Sequence, residues 1–173
     1  MQGQPLPDAE QLLQALIEKM RPEAGPETGL IGIHTGGVWL AERLHEALGL
    51  AVPLGSLDVS FYRDDYEKIG LHKDVKRSNI PFDVDGRPLI LVDDVLYTGR
   101  TIRAAMNELF DYGRPASIRL AALVDRGGRE LPIAAQFVGA QIEVASGRGI
   151  ELKRGADERL SLAFYTQGSA DVA

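Results

Sequence analysis

The sequence predicts an α/β fold, with a mostly parallel central sheet flanked by helices. Three observations carry that prediction. Short aliphatic runs alternate along the chain with stretches of helical periodicity. The run Leu89-Ile90-Leu91-Val92 is apolar at every position, as a parallel strand buried on both faces should be, and it breaks off at Asp93-Asp94. Glycine or hydroxyl residues follow such runs and a helical pattern follows them, which is the order of a strand–turn–helix unit. A length of 173 residues, 45% hydrophobic and 25% charged, suits one domain over 1–173 with a single core.

Each element has its own signal. Asp8 followed by Gln11 has the form of a capping box, and Ala9, Leu12, Leu13, Leu16, Ile17 and Met20 recur at helical spacing until Pro22 and the Gly/Pro-rich stretch to Gly29. Leu30 to Ile33 predicts a strand, Thr35-Gly36-Gly37 a turn, and Leu40, Ala41, Leu44 and Leu48 a second helix closed by Gly49. Val52 to Phe61 reads as a further strand. Residues of about 62–79 then turn polar, carry both charge signs and lose periodicity, which predicts a flexible flap. The Leu89 strand is expected to stop at its acid pair. Ile102, Ala105, Met106, Leu109 and Phe110 form the next helical face, and Ile118 to Val124 the next strand; Phe110 and Trp39 are expected in the core. Residues 167–173 read as a disordered tail. The order αβαβ-flap-βαβ places ligands beyond the carboxyl ends of the strands, where the loops 34–37, 93–101 and 125–130 should meet.

Composition excludes several classes. With no cysteine there is no disulfide framework, thiol catalysis or thiolate zinc site, and a reducing cytoplasm is the expected location. Three histidines at unrelated spacings do not suggest a histidine-built metal site, so a metal would have oxygen ligands. No apolar run is long enough for a membrane span, and residues 1–10 lack the order of a signal peptide. Nineteen basic against 25 acidic residues, a formal charge of −6, does not describe a chain built throughout to hold nucleic acid.

The stretch Leu89 to Thr101, Leu-Ile-Leu-Val-Asp-Asp-Val-Leu-Tyr-Thr-Gly-Arg-Thr, concentrates the chemistry. A buried strand delivers adjacent carboxylates, and a turn rich in hydroxyls and glycine then opens a helix. Backbone amides and the positive end of a helix dipole converge at Thr98, Gly99 and Thr101, which favours a phosphate. The carboxylates suit hydroxyl groups or a divalent cation rather than that phosphate. A sugar phosphate meets both demands. The plainer reading, an acid pair and threonines that only cap a helix, explains one such residue but not the whole string.

This segment resembles the binding motif of the type I phosphoribosyltransferases, which use 5-phosphoribosyl 1-diphosphate (PRPP). The resemblance implies that fold. It implies a PRPP site made of Thr35, Gly36 and Gly37 at the diphosphate, Asp93 and Asp94 at the ribose hydroxyls, and Val95, Leu96, Tyr97, Thr98, Gly99, Arg100 and Thr101 around the 5′-phosphate. Asp93 and Asp94, with Arg63 reaching in from the flap, are the expected catalytic residues. Mg²⁺ is the expected cofactor, with Asp125 a candidate ligand through water, and Val124, Asp125 and Arg126 are placed at the base.

Phe61 to Asp65, Asp111 to Pro115 and Leu123 to Pro132 resemble one branch of that family. Its members convert uracil and PRPP to UMP and pyrophosphate and also regulate pyrimidine operons by binding leader RNA. The resemblance implies a homo-oligomer, with uracil, PRPP, UMP and leader RNA as partners. Three departures stand out: Gly36 where many members carry arginine, Gly128 where the branch has histidine, and no Pro-Thr-Ser segment in 141–150. Arg126, Arg129 and Arg148 remain for a basic patch. Two alternatives stay open, an RNA-binding attenuation protein with residual catalysis and a phosphoribosyltransferase for another base. Tyr97 occupies the place where purine-specific relatives have an acid.

Overall fold

The computed structural model describes residues 4–59 and 78–167. Five strands form one parallel sheet: β1 (Gly29–Ile33), β2 (Gly55–Leu57), β3 (Pro88–Leu96), β4 (Ser117–Asp125) and β5 (Phe137–Gln141), in the order β2-β1-β3-β4-β5. Among the described residues three α-helices accompany them, α1 (Ala9–Met20), α2 (Gly36–Leu48) and α3 (Arg100–Phe110). A two-stranded antiparallel hairpin, β6 (Arg148–Arg154) and β7 (Leu160–Thr166), lies beyond the sheet.

Alternation along the strands builds two apolar layers. Leu30, Ile90, Val92, Ala121 and Leu123 face one way and pack with Leu13, Leu16 and Met20 of α1 and Leu40 and Leu44 of α2. Ile31, Ile33, Leu89, Leu91, Leu120 and Ala122 face the other way and pack with Ile102, Ala105 and Leu109 of α3. The period-two side-chain geometry of a strand makes one aliphatic run serve both layers. Leu89, Ile90, Leu91 and Val92 are fully buried, as a strand covered on both faces requires. Asp8 is the N-cap of α1, its side chain accepting from the Glu10 amide at 2.9 Å, where a capping box with Gln11 would use the next amide. Gly49, at φ 62°, closes α2.

The strand order decides where a site can form. β1 leads through α2 to β2 on one side, whereas β3 leads through α3 to β4 on the other, so the loops after β1 and β3 diverge. That crevice is the topological switch point at which open α/β sheets bind ligands.

Several expectations need correction. β3 does not stop at the acid pair, because Asp93 stays in register with Ala122 and Val95 with Val124. Gly36 and Gly37 are the first residues of α2 rather than a turn before it. Strand structure in the Val52–Phe61 stretch is confined among the described residues to Gly55–Leu57. β5 and the β6–β7 hairpin were not anticipated. Phe110 is 55% exposed, because it points off the buried face of α3, while Trp39 packs partly buried against the core beneath Arg154. Most of the flap, including Arg63 and the Phe61–Asp65 stretch, and the tail beyond 167 lie outside the described residues. The end of the expected flap is ordered on the sheet, with Asn79 exchanging two 2.8 Å backbone bonds with Ser56.

Candidate active site

The site is built where β1, β3 and β4 end. Gly37 lets α2 start almost in contact with β3, since a Cβ there would overlap the Val92 carbonyl and approach Asp93 Cα to 3.2 Å. Gly36, one residue earlier, lies against Asp94; a Cβ on it would come within 2.9 Å of the carboxyl carbon. The acid pair and the opening turn of α2 are therefore neighbours, although 57 positions of sequence separate Gly36 from Asp93. The His34–Thr35 peptide at this turn is cis.

The two acids differ in exposure. Asp93 is 4% exposed and Asp94 half-buried. Asp93 Oδ1 accepts from the Asp94 amide, and Asp94 Oδ1 from the Val95 amide, both at 2.9 Å. These bonds orient each carboxylate and leave its second oxygen pointing elsewhere. Leu96 is buried, Val95 half-buried and Tyr97 38% exposed. Thr98, 8% exposed, accepts from the Arg100 amide at 3.2 Å and so serves the start of α3, while Gly99 is its N-cap at φ 93°. A Cβ on Gly99 would lie 3.0 Å from Ile133. Thr101 is half-buried in the first turn, and Arg100 pairs with Glu130 at 2.7 Å.

The loop after β4 forms the opposite wall. Val124 is buried, whereas Asp125 has protein partners on both oxygens: Oδ1 accepts from Gly127 N at 2.9 Å, and Oδ2 from Arg129 Nη2 at 2.6 Å. Burial is the largest single influence on Asp125 and opposes its ionisation, yet the Arg129 bond, the Gly127 amide and the Arg129 charge together hold its pKa below the ordinary carboxylate value. Arg126 lays its guanidinium 3.8 Å from the centre of the Tyr97 ring and donates to the Arg148 carbonyl at 3.2 Å. Gly128, at φ 78°, packs on the edge of the same ring. Arg148 in turn stacks on Phe164.

The structure thus brings together Thr35 to Gly37, Asp93 to Thr101 and Val124 to Arg126; Arg63 falls outside the described residues. Sequence reasoning did not see that Arg129 is tied inward, bonded to Asp125 Oδ2, Tyr97 O and Ile133 O. The spacing of Asp125 and Arg129, four apart with opposite charge, was the available signal. Among the described residues no group of three acidic, histidine or cysteine side chains converges as a metal cage. The hard oxygens of the acid pair nonetheless fit Mg²⁺, which commonly takes one or two carboxylates and completes its shell with substrate oxygens and water. A separate cleft of about 370 Å³ lies at the amino ends of the strands, between Thr28, Pro88 and the Arg119–Glu23 ion pair.

A parallel sheet ordered 2-1-3-4-5, with carboxylates and two helix-opening turns at its switch point, has the architecture in which open α/β proteins bind ligands beyond the carboxyl ends of their strands. The phosphoribosyl transferase domain model matches residues 4–151, and the chain belongs to that family. It is 54% identical over 143 residues to the Bifunctional protein PyrR of Nitrosococcus oceani, covering 82% of this chain and 81% of that one. It is 50% identical over 162 residues to the Bifunctional protein PyrR of Pseudomonas paraeruginosa, covering 91% and 89%. Solved structures agree in fold. A purine phosphoribosyltransferase from Pyrococcus horikoshii superposes with TM-score 0.59 at 28% identity, over 78% of this chain and 83% of that one. A hypoxanthine-guanine phosphoribosyltransferase from Bacillus anthracis gives 0.63 at 23% identity, over 82% and 86%.

Proposed function

We propose that this chain is a uracil phosphoribosyltransferase of the bifunctional PyrR type, converting uracil and PRPP to UMP and pyrophosphate. The observation that carries the reading is the contact between Asp94 and Gly36, which sets an acid suited to ribose hydroxyls beside a turn suited to an anion. In this reading the amides of Thr35 to Gly37 hold the diphosphate, Asp93 and Asp94 hold the ribose hydroxyls, and Val95 to Thr101 surround the 5′-phosphate.

Uracil N1 attacks C1′, the bond from C1′ to the diphosphate oxygen breaks with its electron pair leaving on the diphosphate, and the N1 proton passes to solvent. Positive charge that develops on the ribose ring lies over the acid pair, which stabilises it. Mg²⁺, when bound, would neutralise charge on the leaving diphosphate. Asp94 is the carboxylate that would meet that ion, and Asp125, with both oxygens already bonded, would meet it only through water. In this reading Val124 to Arg126 border the uracil, with the Arg126 guanidinium stacked on Tyr97. Arg63 is the proposed flap cation that offsets the missing side chain at Gly36.

Incubation with PRPP and, in turn, uracil, hypoxanthine, guanine and orotate tests the reading. UMP from uracil alone is expected; turnover of a purine alone overturns it.

The regulatory role is the second part of the proposal, resting on relatives that are called bifunctional. A homo-oligomer in the cytoplasm would present Arg126 and Arg148, each stacked on an aromatic ring, to leader RNA. Arg129 is bonded inward and Gly128 offers no side chain, so fewer phosphate contacts are expected than in histidine-bearing members of the branch. Each lost contact lowers the salt slope of single-strand binding by about 0.7. A gel-shift titration with leader RNA, with and without UMP, is the measurement.

A further inference from the structure

Three consecutive carbonyls at the exit of β3 are held from one side. Leu96 O accepts from Arg126 N at 3.0 Å, Tyr97 O from Arg129 Nη1 at 2.8 Å, and Thr98 O from the amides of Glu130 and Leu131 at 2.9 and 3.1 Å. All of these donors belong to the loop after β4. In a trans peptide the carbonyl and the following N–H point in opposite directions. Among the described residues the cis bond is His34–Thr35, so these peptides are trans. Carbonyls drawn toward 126–131 therefore aim the N–H groups of Tyr97, Thr98 and Gly99 the other way, ahead of the first turn of α3.

The middle peptide is held differently from its neighbours. Backbone donors fix the outer two, and backbone donors survive substitution. The Tyr97–Thr98 peptide is held by a side chain, so its direction depends on which residue stands at 129. Arg129 is suited to the task, because its Nε donates to Ile133 O at 2.8 Å and its Nη2 to Asp125 Oδ2 at 2.6 Å. A planar guanidinium bonded on three edges has one orientation. Lysine, a point charge on a flexible stem, cannot satisfy all three acceptors in those directions.

We infer that Arg129 is a positioning residue for the 5′-phosphate cradle, aiming the Thr98 N–H by holding the Tyr97 carbonyl. The inference rests on the PRPP reading above. It assigns Arg129 a task inside the enzyme rather than in a surface patch.

The test is calorimetric titration of wild type, R129K and R129M with ribose 5-phosphate and, separately, with magnesium pyrophosphate, all well below the melting midpoints. Ribose 5-phosphate occupies the cradle, whereas pyrophosphate occupies the turn at Thr35 to Gly37. Ribose 5-phosphate affinity should fall about tenfold or more in both variants, the loss expected for one hydrogen bond serving a charged group. Pyrophosphate affinity should hold, and KM for PRPP should rise by more than kcat falls. If R129M does not fold, R129K carries the comparison, since it keeps the stem and the positive charge. Unchanged ribose 5-phosphate affinity overturns the inference, as does equal weakening of both ligands in step with a lowered midpoint. Wild type that binds neither PRPP nor ribose 5-phosphate overturns the underlying reading and the inference with it.

Discussion

Asp94 shows how one side chain can be held by a local bond and still turn its other oxygen toward a second element. Its Oδ1 is fixed by the next amide, while its second oxygen lies against the opening turn of α2. Asp94→Asn keeps size and shape, so the melting midpoint should stay within about 2 °C, the shift expected for well under 1 kcal/mol in a chain of this length. kcat/KM for PRPP should fall about 10- to 100-fold through loss of a charge-assisted bond. An equal loss of stability and activity would instead make the acid a structural group. Gly99→Val places a branched side chain at φ 93° against Ile133, and should cost about 1–3 kcal/mol together with PRPP affinity, read by thermal melting and KM. Gly128→His restores the residue usual in the branch but meets the Tyr97 ring at φ 78°. It should lower stability by a similar amount, about 1–3 kcal/mol, and change the near-ultraviolet dichroism of that tyrosine.

Among the elements, α1 is tied to α2 and β7 by one carboxylate. Glu10 accepts from Arg43 Nη2 at 2.6 Å and from the Leu160 amide at 2.9 Å. The Arg43 hydrogen bond is the main cause that its pKa lies below the ordinary 4.5; burial works against it, and the Leu160 amide and nearby arginines add to the lowering. Its contribution is therefore complete above about pH 4.5 and is lost as the pH falls through the lower folded-state value. Glu10→Gln should remove about 1 kcal/mol at pH 7, discounted for the exposed half of the pair. That corresponds to about 2–4 °C in the midpoint. The deficit should shrink toward zero when both proteins are melted at acid pH. A deficit that persists unchanged would mean the charge is irrelevant to the bond.

At the scale of the whole molecule, the β6–β7 hairpin completes the core rather than decorating it. Ile150, Leu152 and Leu160 are buried in the same cluster as α1, α2 and the central strands. Arg154 covers Trp39 at 4.8 Å from the ring centre. Removal of residues 143–173 takes three buried aliphatic side chains out of the core, each worth about 1.5–3 kcal/mol, and uncovers the apolar surface they pack on. The shortened chain should be insoluble or lack a cooperative melt, as checked by expression and circular dichroism. A soluble, cooperatively melting fragment would make the hairpin an appendage.

Much of this protein follows from its sequence alone. Four unbroken aliphatics at Leu89 to Val92 specify a strand buried on both faces, and Gly49 after the apolar face of α2 marks where that helix ends. The acid pair with Thr-Gly-Arg-Thr placed the candidate phosphate site, because that chemistry depends on residues adjacent in the chain. Other features depend on partners far apart. Asp93 stays within β3 because β4 continues beside it, Phe110 is exposed because α3 turns its other face to the sheet, and the hairpin is recognisable only against the core it closes. The task of Arg129 belongs to the same group. Its side chain is legible as a charge, but which carbonyl it holds was decided by the packing of two loops, since a hydrogen bond is specified by position in space and not by order along the chain.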